Sequence, residues 1–84
     1  MRPRDQIIRI VEQVFRTAFP QDTVDVSDGY GDNIHVLVVS RQFDGMSEQQ
    51  KQDRMWALID KTSLTAEEKR LISLVYPVSP AEIK

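Results

Sequence analysis

The sequence predicts an α+β fold: a two-layer α/β sandwich in the order α-β-β-α-α-β-α, with a three-stranded mixed sheet. Three observations predict it. An amphipathic stretch at 5–19 stops at a proline. Two strand-like segments, 23–27 and 34–40, flank a turn rich in Gly, Asp and Asn. Three helix-start signatures of the form S/T-x-x-E/Q then follow. With 84 residues, the chain suffices for one domain, spanning 1–84.

Each element has a local reason. In residues 5–19, Ile7, Ile8, Ile10, Val11, Val14, Phe15, Ala18 and Phe19 recur at helical spacing. Arg9, Glu12, Gln13 and Arg16 fill the other side. Pro3 is tolerated at the first turn. Pro20 disfavours helical geometry at Phe19, so the helix ends there. Residues 23–27 alternate with period two, which turns Val24 and Val26 inward. Ser27 to Asn33 is a turn whose Gly, Asp and Asn residues tolerate positive φ.

Residues 34–40 form the strongest strand signal. Ile34, Val36 and Val38 share one face, and His35, Leu37 and Val39 the other. An apolar pattern on both faces marks a central strand. Its second face is only partly apolar, and is read either as ordinary surface or as a partner or dimer surface. Phe43 is expected to anchor beneath the following turn, and Gly45 to supply a backbone angle that a side chain would penalise.

Helices are expected at about 48–61, 66–70 and 80–83. Ser47 with Gln50, Thr65 with Glu68 and Ser79 with Glu82 are capping boxes, each able to satisfy two orphan helix donors. A strand runs from Leu71 to Tyr76 and ends at Pro77. The first two strands form an antiparallel hairpin. The long helical connection to the third permits a parallel, right-handed crossover, which puts its helices on one sheet face. Trp56 lies among Met55, Leu58 and Ile59 at helical spacing and is read as core packing.

Composition removes most activities. There is no cysteine, so no disulfide, thiolate nucleophile or cysteine metal site. One histidine excludes a His/Cys cluster. No phosphate-binding glycine loop is present. Asp25, Asp28 and Asp32 lack the spacing of a calcium loop. His35 is the one weak candidate for a metal ligand, and a lone histidine on a strand is far more often plain surface. The reading is therefore no catalytic residues, no metal, no cofactor and no enzyme.

No apolar run is long enough to span a membrane. The charged N-terminus does not read as a secretory signal. A cytoplasmic location is the expectation. Net charge is −2, with four arginines against two acids in residues 1–20 and an acidic excess in the remainder. That balance gives no general pull toward nucleic acid.

The element order, together with several short motifs, resembles the BolA-like proteins, whose fold is similar to type II KH domains. The motifs are Val36-Leu37-Val38-Val39-Ser40, then Phe43-Asp44-Gly45, then Trp56, and finally Ser79-Pro80-Ala81-Glu82. The resemblance implies a regulatory or adaptor protein linked to monothiol glutaredoxins and iron–sulfur clusters. It also shows departures. Lys51-Gln52 stands where the family carries Arg-His, and Lys51 lacks the planar guanidinium fork. Arg70 and Leu71 stand near the family's cluster-ligating histidine, and neither has a lone pair for iron. Ser27 to Asn33 contains no Cys or His at the variable ligand position.

The expectation is thus a BolA-like adaptor for a protein partner, with a glutaredoxin as the partner class and no cluster ligation of its own. The alternative is a KH-like nucleic-acid-binding regulator, using a surface of Lys51, Arg54, Lys69 and Arg70. KH domains bring backbone to phosphate at a Gly-x-x-Gly loop, which this chain does not contain.

Overall fold

A computed structural model describes residues 2–29 and 31–82. The elements are α1 (Arg4–Ala18), β1 (Thr23–Asp28), β2 (Ile34–Val39), a 3-10 turn (Arg41–Phe43), α2 (Glu48–Asp60), α3 (Ala66–Lys69), β3 (Ile72–Val78) and a last 3-10 turn (Pro80–Glu82). The sheet order is β1-β2-β3. β1 and β2 pair antiparallel, and β2 and β3 pair parallel. The expected mixed sheet and element order are therefore present. No described helix is long and apolar enough to cross a membrane.

The core lies between the sheet and the helices. Ile7, Val11 and Phe15 come from α1, and Ile34, Val36 and Val38 from β2. Met55, Leu58 and Ile59 come from α2, and Ile72 and Val75 from β3. Burying each such large side chain stabilises by about 1.5–3 kcal/mol, which makes this layer the main source of stability. Trp56 packs against the core while remaining partly exposed. Helix α1 carries more apolar residues than one core can cover. Ile10, Val14 and Ala18 line a groove of about 370 Å³ with Leu58 of α2.

The segment after β2 is built as its sequence suggests. Phe43 is fully buried, with its ring centroid 5.4 Å from that of Phe19. Gly45 has φ +78°, a left-handed angle that favours glycine. Ser47 Oγ accepts from the Gln50 amide at 3.2 Å, and Gln50 Oε1 accepts from the Ser47 amide at 2.9 Å. Thr65 and Glu68 make the same reciprocal pair.

Several expectations change. β3 does not stop at Tyr76; it passes through Pro77 to Val78. The Val78 carbonyl accepts from the Ser40 amide, so Val78 turns its backbone toward β2. One residue earlier, the backbone of Pro77 faces the free edge. Its missing N–H therefore costs no ladder bond, as is usual for proline on an edge strand. A register shift beside Ile34 and His35 leaves Ser73 without a partner on β2.

The last helix is a 3-10 turn at 80–82, and Ile83 lies outside the described residues. Its capping box is half made. Glu82 Oε1 accepts from the Ser79 amide at 3.2 Å, whereas Ser79 Oγ donates to Asp44 and accepts from the Ala81 amide at 3.3 Å, one residue short of the amide that would close the box. Tyr30, in the hairpin turn, also lies outside the described residues.

Candidate interaction surface

Lys51 sits one turn into α2 and is not a surface group; only 3% of it is exposed. Its Nζ donates to Glu48 Oε1 at 3.2 Å and to the Glu82 carboxylate. The Glu82 contact, more than the Glu48 one, raises the Lys51 pKa above the ordinary lysine value. Reciprocally, Lys51 and then the Ser79 amide lower the Glu82 carboxyl. The ammonium is thus neutralised by two carboxylates, and it ties the C-terminal turn to α2. Beside it, Gln52 Nε2 donates to the Val75 carbonyl at 3.2 Å.

The other cations lie elsewhere. The Arg54 guanidinium stands 5.8 Å above the Phe19 ring and donates to Gln42 Oε1 at 3.3 Å. Lys69 Nζ donates to Asp60 Oδ1 at 3.3 Å. Arg70 caps α3 and is exposed. Glu48 and Asp60 are the two ends of α2, about 18 Å apart at 1.5 Å per residue. Lys51 and Lys69 are therefore anchored at opposite ends of that helix, and Lys51, Arg54, Lys69 and Arg70 do not form one free basic patch.

His35 lies on the sheet face turned away from the helices and is half-buried. Its ring covers Gly29; a Cβ at Gly29 would stand 2.5 Å from His35 Nε2. The ring and the Gly29 backbone are in close contact. Among the described residues, no group of three or more His, Cys, Asp or Glu side chains could hold a metal. Leu71 packs against the core, and its carbonyl accepts from the Ile34 amide at 2.7 Å.

The strand register assembles the open face. It sets Thr23 opposite Val39, Asp25 opposite Leu37 and Ser27 opposite His35. On the other side it sets His35 beside Leu74, Leu37 beside Tyr76 and Val39 beside Val78. Paired residues share a face, so Leu37, Val39, Leu74, Tyr76 and Val78 form an apolar strip across two strands. Tyr76 is 54% exposed. Sequence reasoning identified only the β2 half of this strip. The unpaired Ser73 breaks the period of two in β3, which hides the other half.

Reading the sequence placed Glu68 in a capping box but missed its burial, with 1% exposure. Its carboxylate accepts from the Thr65 amide, the Arg2 amide and the Arg2 guanidinium, the last at 2.6 Å. The two amides, Thr65 first, together with the guanidinium hold the carboxyl at about 2. The capping-box position was a visible signal, but the Arg2 contact spans 66 residues.

No family model matches the chain, and no curated protein matches it. Among solved structures, it is similar to the NMR structure of a BolA-like hypothetical protein from Rickettsia prowazekii. The two are 17% identical, with a TM-score of 0.61 over 84% of this chain and 91% of the other. At that identity the likeness speaks to architecture, and it agrees with the element order, the hairpin and the parallel crossover: the chain has a BolA-like fold.

Proposed function

We propose that the chain is a non-enzymatic adaptor that binds a protein partner, with a monothiol glutaredoxin as the partner class, and that it supplies no iron–sulfur ligand itself. The observation that carries this reading is the open sheet face, where Tyr76 is exposed and its apolar neighbours Leu37, Val39, Leu74 and Val78 are half-buried. Apolar strips rimmed by polar residues mark interaction surfaces. The BolA-like fold supports the partner class. The chemistry of Arg70 and Leu71 supports the absence of a ligand, since neither side chain can donate a lone pair to iron.

Nucleic-acid binding has less support. Lys51 is buried between two carboxylates, and Lys69 is paired with Asp60. Phosphate binding needs cations that are free and adjacent.

The test is titration of the chain into a cluster-loaded monothiol glutaredoxin, followed by calorimetry and visible circular dichroism. The expected result is a complex weakened by Tyr76→Glu, with the cluster spectrum unchanged. A spectral shift abolished by His35→Ala would overturn the claim that no ligand is supplied. Absence of any complex would overturn the partner class.

A further inference from the structure

The two edges of the sheet are not equivalent. The Gly29 amide donates to the Asn33 carbonyl, which makes that pair a hydrogen-bonded one. Antiparallel pairs alternate, so Ser27, Asp25 and Thr23 also turn their backbone toward β2. Val24, Val26 and Asp28 then turn their amides and carbonyls outward. Among the described residues, no hydrogen bond reaches those outward groups. The β3 edge is different. Pro77 has no amide to offer there, and the outward Val75 carbonyl already accepts from Gln52. The β1 edge therefore offers an extra strand an unbroken set of unpaired groups, and the β3 edge does not.

The acids around this edge select the occupant. Asp22 precedes β1, Asp25 and Asp28 lie on it, and Asp32 follows in the turn. Only Asp28 has a cationic partner among the described residues, Arg4 at 2.6 Å. A second copy is disfavoured. Two antiparallel registers pair the outward groups over five residues of β1; the one centred on Asp25 sets Asp25 opposite Asp25, and both bring two copies of this acidic edge together, where like charges are destabilising.

We propose that β1 is a docking strand for an extended, basic protein segment that adds to the sheet edge. Such a segment hydrogen-bonds to Val24, Val26 and Asp28. Its side chains alternate: apolar ones lie beside the half-exposed Val24 and Val26, and basic ones beside Asp25 on the open face. Six residues of strand span about 20 Å, enough for a segment of similar length. The free edge is the site, and the aspartates decide which chain fits. The proposal is independent of the glutaredoxin assignment, because it needs neither that partner nor the Tyr76 strip.

The test uses the isotope-labelled full chain and two capped heptapeptides, one alternating lysine and valine, the other glutamate and valine. Amide shifts and hydrogen exchange are followed by NMR. The lysine peptide is expected to shift and protect the amides of Val24, Val26 and Asp28, and to bind more weakly as salt rises. The glutamate peptide is expected not to bind. Asp25→Lys is exposed and keeps its ladder bonds. It is expected to weaken the lysine peptide about tenfold and admit the glutamate peptide. Val26→Pro removes one outward donor, as Pro77 does on the opposite edge, and is expected to abolish protection.

Three results overturn the proposal. One is no binding of either peptide, which leaves the aspartates as guards against edge association. Another is equal binding of both peptides or shifts elsewhere. The third is concentration-dependent protection of Val24 and Val26 without peptide, which assigns the edge to a second copy.

Discussion

The buried ammonium of Lys51 binds the carboxylate of Glu82, 31 residues away in sequence, and so fastens the end of the chain to the second helix. The pair has a defined pH window. Lys51 is raised from 10.5, so its contribution is present below that value and is lost as pH rises through the folded value. Glu82 is lowered from 4.5, so its contribution is present above that value and is lost as pH falls through the folded one. The turn at 80–82 is therefore expected to stay fastened across neutral pH. Glu82→Gln is expected to raise amide exchange at Ser79 to Glu82 at pH 7, with little change in β1. Unchanged exchange in that turn would show that the pair holds nothing.

Acid acts more strongly at Glu68. Its carboxyl stands at about 2 in the fold, against an ordinary 4.5. Its stabilisation is complete above pH 4.5 and disappears as pH falls toward 2. Urea unfolding followed between pH 5 and 2 is expected to show falling stability with a slope that Glu68→Gln reduces. An identical slope in both proteins would assign the acid sensitivity to other carboxylates.

Gly29 and His35 are expected to be coupled. Gly29→Ala places a methyl against the imidazole, which must move or strain the hairpin. The cost is expected to be about 1 kcal/mol and to shrink in a His35→Ala background, as contacting residues do in a double-mutant cycle. Additive effects would mean that the ring moves aside freely.

Phe43→Ala removes a fully buried ring that packs on Phe19 and is expected to cost about 3–5 kcal/mol. Ser47→Ala, a few residues later, removes only a helix cap and is expected to cost about 1 kcal/mol. Denaturant midpoints of the two variants check the ordering. Similar costs would mean that the segment is held by its local hydrogen bonds and not by the core.

Much of this architecture was legible because its signals are local. The period of α1, the alternation of β2 and the boxes at Ser47 and Thr65 each lie within a few turns of chain, and backbone geometry reads them directly. The angle at Gly45 and the anchoring of Phe43 belong to the same class. The limits of β3 were not legible. Pro77 ends a strand only if an N–H is needed there, and sheet order together with the β2–β3 pairing turns its backbone to a free edge.

The candidate site was less legible than the fold. Charge type along the chain suggested a basic surface at Lys51, Arg54, Lys69 and Arg70. Composition cannot say which charges meet, and the fold brings Glu82 to Lys51 and Asp60 to Lys69. The sequence by itself determined the order of elements, the helix caps and the lack of thiol or clustered imidazole ligands. Tertiary structure decided which cation is buried, which strand edge is left open and how the apolar strip continues across β3. Those outcomes depend on contacts between residues distant in sequence, where packing and pairing override local preference.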